Sequence, residues 1–246
     1  MQSQIDFNTA AAIYDSYVRA DSDIQFWLRE TQKVNGRVLE LTSGTGRVSI
    51  QLLKAGVDLT CMDRSPGMLS VLRHKVESAG LTCSIVRMDI TELSLPLQYD
   101  LIFIPFNSFS ETVERKRELR ALARIRAHLA EDGEFICTLQ NPKIRSAGLD
   151  GNPRFLGTFP TRDGMIVTVT CRFRSRGASG IVHGSQFYEF RDKEGKLAGE
   201  RSVKVKFRLF EPEEFEDLIK QTGIRSVTED MRGIGREEIC RHQWRS

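Results

Sequence analysis

The fold is decided by the stretch Val38-Leu39-Glu40-Leu41-Thr42-Ser43-Gly44-Thr45-Gly46-Arg47. Its apolar start predicts a buried strand, its middle a tight turn, and the residues after Gly46 a helix that is closed by Gly56. Glycine enters the φ > 0 region without steric cost, so Gly44 and Gly46 allow the backbone to approach a bound ligand closely. A Gly-x-Gly turn also occurs in ordinary strand-to-helix connections, and the surrounding pattern has to support the binding interpretation.

Strands and helices alternate on both sides of this turn. Strands are predicted at 37–41, 58–63, 81–88, 99–105 and 134–139, with helices between them. This rhythm predicts an α/β fold with a doubly wound, mostly parallel sheet and helices on both faces. With the last strands supplied by the tail from Ile224, we expect seven strands in all.

The rhythm changes after Asn141-Pro142, where strand patterns at 165–174, 186–192 and 200–210 are separated by glycine-rich turns. We interpret this part as an antiparallel β insertion after strand five. The chain is expected to be one domain over 1–246, whose parts are an N-terminal helical cover (1–30), a cofactor-binding core (31–142), the insertion (143–210) and a return to the core (211–246).

Composition excludes several classes of protein. The chain has 246 residues and a net charge of +3, and its densest basic stretch, 115–126, has the spacing of an amphipathic helix. Nucleic acid is therefore an unlikely partner on sequence grounds. The five cysteines form no C-x-x-C pair, which disfavours a metal site or a disulfide framework and favours the cytoplasm. No apolar run approaches the length of a membrane span.

Three acidic residues lie at or just after the ends of predicted strands. Glu40 ends strand one, Asp63 ends strand two, and Asp89 follows strand three beside Ile90. In doubly wound folds an acid at the end of strand two binds both ribose hydroxyls of a nucleotide. Asp89 faces the same crevice, where its carboxylate can accept the amino group of adenine.

Together these residues resemble the signature of class I (Rossmann-like) S-adenosylmethionine-dependent methyltransferases, over roughly 12–142. The run from Glu40 resembles the first motif of that family, with Thr42 in place of its first glycine, and the segment 104–109 resembles the fourth. An NAD-binding domain is the alternative, but Ser49 stands where that motif requires glycine. The resemblance implies that S-adenosylmethionine is the cofactor and is bound by Tyr14, Tyr17, Glu40, Thr42, Gly44, Gly46, Asp63, Arg64, Met68, Asp89, Ile90 and Pro105.

The pair Tyr14 and Tyr17 resembles the start of bacterial small-molecule methyltransferases, where an N-terminal helix closes over the cofactor. The alternative is that both tyrosines are core residues of an amphipathic helix. For catalysis the candidates are Tyr17, Asn107 and His183.

Substrate specificity is expected from parts that are not general to the fold, namely the N-terminal helix, the loop after strand four and the insertion. The predicted substrate-binding residues are Trp27, Phe106, Asn107, Phe109 and Tyr188. An equally good interpretation is that the aromatic residues of the insertion pack its own sheet or a second subunit of a homo-oligomer.

The plan of the chain is similar to bacterial enzymes that N-methylate amino sugars or small heteroaromatic metabolites. Those enzymes also carry an insertion followed by a helix like the one predicted after Pro212. The resemblance implies natural-product N-methylation by in-line transfer to a small-molecule acceptor. Alternatives are an O- or C-methyltransferase, an RNA methyltransferase, with slight support from Arg172, Arg174 and Arg176, and a binding protein that has lost catalysis.

Overall fold

A computed structural model describes residues 7–175, 180–226 and 237–243, without the side chains of 9, 225, 226 and 237–243. The helices are α1 (Phe7–Tyr17), α2 (Ile24–Gln32), α3 (Ser49–Lys54), α4 (Pro66–Ser78), α5 (Arg115–His128), α6 (Pro142–Arg145) and α7 (Pro212–Gln221). The strands are β1 (Val38–Leu41), β2 (Leu59–Asp63), β3 (Ser84–Arg87), β4 (Tyr99–Ile104), β5 (Leu129–Gln140), β6 (Arg154–Pro160), β7 (Ile166–Ser175), β8 (Ile181–Arg191), β9 (Leu197–Arg208), β10 (Arg225–Ser226) and β11 (Glu237–Gln243).

The main sheet has the order β10-β11-β5-β4-β1-β2-β3 within the described residues. Strands β1 to β5 run parallel, and β11 pairs antiparallel with β5. The predicted α/β fold, its parallel sheet and the two late strands are thus confirmed. Because the strands are parallel, the ends of β1, β2, β3, β4 and β5 meet at one edge, where a doubly wound fold binds its ligand.

Each face of the main sheet is covered by helices. One core cluster packs β1 and β4 against α5 and α7, and the other packs the alternate residues of these strands against α2, α3 and α4. Strand β4 is almost completely buried, as expected for the central part of a parallel sheet. The side chains at the carboxyl edge therefore rest on a scaffold that is packed on both sides.

The insertion is a separate antiparallel sheet with the order β6-β7-β8-β9. Sequence reasoning predicted three strands here and missed β6. This strand lies at the edge of its sheet and is mostly exposed, so it lacks the apolar alternation that marks a half-buried strand, and Gly157 and Pro160 further obscure it.

The N-terminal region, predicted as a helical cover over 1–30, is not one continuous helix. It forms two helices, α1 and α2, separated by residues 18–23. Asp23 lies at the start of α2, where its carboxylate accepts a hydrogen bond from Trp27 Nε1 (3.0 Å) and pairs with Arg47 (2.5 Å). This ion pair attaches the start of α2 to the turn before α3, while α1 packs elsewhere.

No helix in the described part of the chain combines the length and apolar character needed to cross a membrane. Within the same residues, no group of three potential metal ligands lies close enough together to hold an ion.

Candidate active site

The turn after β1 has the backbone conformation that glycine favours. Thr42, Gly44 and Gly46 have φ values of +57°, +56° and +83°. A Cβ on Gly46 would lie 2.3 Å from Leu72 Cδ1 of α4, so this glycine is required for close packing. Thr42 adopts the left-handed conformation despite its branched side chain, which costs roughly 1–2 kcal/mol. The turn thus keeps the shape of a glycine motif even where a glycine is missing.

Asp63, at the end of β2, is fixed beside this turn. Its Oδ2 accepts a hydrogen bond from the backbone N–H of Gly44 (2.9 Å), and its Oδ1 accepts one from the backbone N–H of Ser65 (2.8 Å). Burial raises the pKa of Asp63 above its ordinary value, although the two backbone donors oppose the shift. The carboxylate is thereby held at the mouth of the glycine turn.

Asp63 and Asp89 line the same narrow cavity of about 80 Å³, together with Met88 and Ile90. The Asp89 carboxylate accepts hydrogen bonds from Thr91 and pairs with Arg117 Nη2 at 2.9 Å. Burial favours a higher pKa for Asp89, but these partners outweigh it and the pKa lies below its ordinary value. The two acids therefore face one cleft, as predicted, and Asp89 stays ionised in it.

A second, larger cavity of about 810 Å³ adjoins this cleft. The two share five wall residues, Thr42, Asp63, Arg64, Ser108 and Glu111. The wall of the large cavity also includes Gly44 and Met68 from the core, Tyr14 and Tyr17 from α1, and residues of the insertion. A path therefore runs from Asp89 past Asp63 and the glycine turn into a chamber roofed by α1 and the antiparallel sheet. Along this path Asp89 comes first, Asp63 second and the glycine turn third. Adenine, ribose and methionine follow one another in the same order in the predicted cofactor.

Helix α1 is attached to the cofactor-binding core at both ends. Asn8 Oδ1 accepts a hydrogen bond from the backbone N–H of Gly67 at 2.8 Å, at the first turn of α4. Near the other end, Asp15 accepts from Thr45 Oγ1 at 2.7 Å and pairs with Lys75 at 2.6 Å. These contacts hold the roof of the chamber against the glycine turn.

The two predicted tyrosines of α1 reach the chamber. The Tyr17 hydroxyl lies 3.1 Å from the Tyr188 hydroxyl, which in turn donates to Gln186 Oε1 at 2.9 Å. Burial raises the pKa of Tyr14 and Tyr17, and for Tyr17 the neighbouring Tyr188 adds to the effect. Both hydroxyls thus remain protonated and act in hydrogen bonds rather than as bases.

The loop after β4 is held in an uncommon backbone conformation. Phe106 and Asn107 are consecutive non-glycine residues with φ of +57° and +60°. The Asn107 backbone N–H donates to Thr138 Oγ1 at 3.0 Å, and the Arg47 guanidinium lies 4.8 Å from the centre of the Phe106 ring. Such conformations persist only where their surroundings enforce them and are common at ligand sites. Phe106 and Asn107 both line the chamber.

Glu40 does not line either cavity. It is 1% exposed beneath the turn, where its carboxyl accepts a hydrogen bond from Ser49 Oγ at 2.5 Å. Burial raises the pKa of Glu40 to about 8, against the opposing effects of Ser49 and Arg47. Its observed contacts support the turn from below.

Several predicted substrate and catalytic residues do not reach the chamber. Trp27 is fully buried and stacks on Phe103 with ring centres 4.6 Å apart, and Phe109 is fully buried against Phe210 and Phe215. Tyr188 lies behind Tyr17 and is 1% exposed. His183 is exposed on the opposite face of the insertion's sheet from Val182. The prediction of direct substrate contact was therefore wrong for Trp27, Phe109 and Tyr188, and that of catalysis for His183.

Sequence reasoning missed part of the wall. Glu111 lies between the two cavities, 3.6 Å from Arg64 Nη2. Burial raises the pKa of Glu111 to about 7; Arg64 opposes this shift and Asp63 adds to it. The other missed residues come from the end of β5, from α6 and from the inner face of the insertion, and they include Gln140, Arg145, Arg154, Cys171, Phe173 and Gln186. Buried and more exposed residues alternate along β7, which places Cys171 and Phe173 on the same face. This alternation was the signal that could have identified both residues.

Comparisons with known proteins agree with this geometry. Residues 38–133 match the methyltransferase domain family. A cypemycin N-terminal methyltransferase from Streptomyces sp is 28% identical over 66% of this chain and 66% of its own length.

Two solved structures share the fold. One is the sugar N-methyltransferase KedS8 from Streptoalloteichus sp ATCC 53650, with a TM-score of 0.78 at 17% identity, covering 95% of this chain and 92% of that one. The other is S-adenosylmethionine-bound CalS10, an amino pentose methyltransferase from Micromonospora echinaspora involved in calicheamicin biosynthesis, with a TM-score of 0.74 at 18% identity over 99% of each chain. Residues 38–133 thus form a methyltransferase domain, and this domain, the glycine turn and the paired acids support a class I, Rossmann-like methyltransferase that uses S-adenosylmethionine.

Proposed function

We propose that this enzyme methylates a nitrogen atom of a small metabolite in natural-product biosynthesis, with an amino sugar or a heteroaromatic amine as acceptor. The observation that carries the proposal is the chamber of about 810 Å³ beyond the glycine turn. Its size lies within the range of about 300–1,000 Å³ typical of small-molecule sites. Because α1 and the insertion roof it, the chamber suits a compact acceptor better than a nucleic acid strand.

The residues of the narrow cleft would hold the methyl donor. Asp63 would accept hydrogen bonds from ribose hydroxyls, Asp89 from the adenine amino group, and the turn at Gly44 would receive the methionine part. When bound, S-adenosylmethionine supplies a methyl group whose bond to the positive sulfur breaks as a bond to the acceptor nitrogen forms, leaving a neutral thioether. The contribution of the chain is then mainly orientation, for which effective molarities are worth roughly 7–11 kcal/mol at best.

An amine acceptor must lose a proton, and Glu111 is placed to receive it. It lines both cavities beside Asp63, and its pKa of about 7 is close to neutral pH, the range in which a general base works best. Tyr17 and Asn107, the two remaining sequence candidates, would orient the acceptor by hydrogen bonds. We therefore assign proton acceptance to Glu111.

The relatives support nitrogen as the acceptor atom. KedS8 is named a sugar N-methyltransferase, CalS10 is named for an amino pentose, and the cypemycin enzyme is named for methylation at an N-terminus. For the two solved structures the likeness is one of fold, so the acceptor has to be found by experiment.

The test is incubation of the enzyme with methyl-labelled S-adenosylmethionine and a panel of amino sugars and heteroaromatic amines, followed by location of the label. We expect label on nitrogen, and a rate that rises with pH through about pH 7. Glu111→Gln should lose this acidic limb, whereas Glu92→Gln, at an exposed carboxylate outside the cavities, should keep it. Label on oxygen or carbon, or activity that disappears when a lysate is treated with nuclease, would refute the proposal.

A further inference from the structure

The chamber has two parts of different chemistry. The cofactor side includes the carboxylates of Asp63 and Glu111. The other side, which we call the acceptor lobe, is formed by Gln140, Arg145, Arg154, Cys171, Phe173, Gln186 and Phe207. Among the described residues that line this lobe, every charged side chain is basic.

Arg145 is held in a fixed position within the lobe. It ends α6, whose first turn is capped by Asn141 Oδ1, an acceptor for the backbone N–H groups of Lys143 and Ile144. The Arg145 guanidinium lies 5.0 Å from the centre of the Phe173 ring and 5.6 Å from that of Phe207. A guanidinium stacked on aromatic rings is preorganised, so less side-chain entropy is lost when it binds a ligand.

The two glutamines of the lobe are oriented by their neighbours. Gln140 Oε1 accepts a hydrogen bond from Arg145 Nε at 3.1 Å, and Gln186 Oε1 accepts one from the Tyr188 hydroxyl at 2.9 Å. Each side-chain carbonyl is thus directed at a protein donor, and the group that remains on each amide is its NH₂, which can only donate.

A second cation stands at the rim of the lobe. Arg154 Nη2 pairs with Asp150 at 3.1 Å and also lies 3.3 Å from the carbonyl oxygen of Ala147. This ion pair is well exposed, and its contribution to binding should be small because such pairs are screened by water and salt. Arg145, half-buried between two rings, is the stronger candidate for recognition.

We infer that the acceptor carries an anionic group, a carboxylate or a phosphate, and that the fork of Arg145 binds it with help from the amides of Gln140 and Gln186. Carboxylate and phosphate oxygens only accept hydrogen bonds, and a wall of donors with positive charge matches them. Arginine binds both groups in the same bidentate geometry. This inference rests on the proposed function and narrows its substrate class to acidic small molecules that bear a reactive nitrogen.

Direct binding of simple anions is the first part of the test. Inorganic phosphate and acetate are titrated separately into the enzyme saturated with S-adenosylhomocysteine, with calorimetry as the readout. We expect one of the two to bind, and Arg145→Met, which keeps the length of the side chain over the rings, to weaken that binding about 10-fold or more. Arg172→Gln removes the same charge from the exposed outer face of β7 and should change nothing.

Methyl transfer to matched acceptors is the second part. Glucosamine 6-phosphate is compared with glucosamine, and glycine with glycinamide. The anionic member of one pair should be preferred by about 10-fold or more in kcat/KM, and Arg145→Met should remove the preference while leaving the Tm and the affinity for S-adenosylhomocysteine unchanged.

The two parts separate failure of this inference from failure of the proposed function. If nitrogen is methylated equally well in the neutral and the anionic member of each pair, the inference is wrong and N-methylation stands. If neither anion binds through Arg145, the inference is also wrong, and N-methylation is decided by the position of the label alone. If an anion binds through Arg145 but the label goes to oxygen or carbon, the anionic site stands and N-methylation is wrong.

Discussion

The two sides of the chamber are built on different principles. On the cofactor side, ligand-facing groups follow the ends of parallel strands, where backbone geometry brings Gly44, Asp63 and Asp89 to one edge. On the acceptor side, they come from a short helix and from the inner face of an antiparallel sheet. The first arrangement depends on the chain path alone, whereas the second depends on how two sheets pack. Binding of the donor and recognition of the acceptor should therefore be separable by mutation.

The largest effect is expected from Asp63→Ala. The substitution removes the carboxylate that we propose binds the ribose, together with its two contacts with the backbone N–H groups of Gly44 and Ser65. Two charge-assisted hydrogen bonds are worth about 1.5–3 kcal/mol each, so the affinity for S-adenosylmethionine in calorimetry should fall about 100-fold or more. Binding of phosphate or acetate in the acceptor lobe should persist.

Asp58→Ala is the matched control, since Asp58 is exposed and lies just before β2, at its other end. Its affinity for the donor should equal that of the unmodified enzyme. If Asp63→Ala removed anion binding as strongly as donor binding, the two sides would not be independent.

A pH-dependent effect on stability is expected from Glu40, which supports the cofactor side. Its folded pKa of about 8 lies above its ordinary 4.5, so the folded state binds the proton more tightly. This contribution is fully present below about pH 4.5 and is lost as the pH rises to about 8. Between pH 5 and pH 8 the Tm of Glu40→Gln should therefore fall less than the Tm of the unmodified enzyme. The difference between the two falls should reach several degrees at pH 8.

The control for this experiment is Glu92→Gln, at an exposed carboxylate. It should keep the original pH profile of the Tm. An unchanged slope in Glu40→Gln would mean that the buried carboxyl is ionised in the folded protein, contrary to its surroundings.

The smallest effect is expected from Thr42→Gly, which restores glycine where the chain already has φ of +57°. Relief of the left-handed conformation gains roughly 1–2 kcal/mol, and the greater entropy of glycine in the unfolded chain offsets about 0.4–1 kcal/mol of that. We expect a small rise in Tm and an affinity for S-adenosylmethionine several-fold higher, because no side chain then projects into the cleft.

Thr42→Ala separates relief of the left-handed backbone conformation from removal of side-chain atoms from the cleft. It removes the hydroxyl and a methyl group but keeps the Cβ. It should show little of the gain in stability. A lower donor affinity in Thr42→Gly would indicate that the threonine side chain contributes a contact.

The contrast between the two sides also explains what the sequence could predict. The placement of Gly44, Asp63 and Asp89 at one edge of the sheet was predicted correctly, because a residue at the end of a parallel strand has its position set by that strand and the turn after it. Trp27 and Phe109 were assigned to the substrate wrongly, because an aromatic residue in the right segment can face the core as readily as the ligand. Arg145 was missed because its role depends on Phe173 and Phe207, about 30 and 60 residues further along the chain, whose approach no local pattern reveals.

The double attachment of α1 constrains the catalytic cycle. Asn8 and Asp15 tie the helix to α4 and to the glycine turn, so fraying at one end leaves the other in place. Opening of the chamber at this helix would therefore require both ends to detach together. Such an opening would make turnover sensitive to solvent viscosity, and a helix that carries three of the residues that line the chamber, Phe7, Tyr14 and Tyr17, would also time the release of the product.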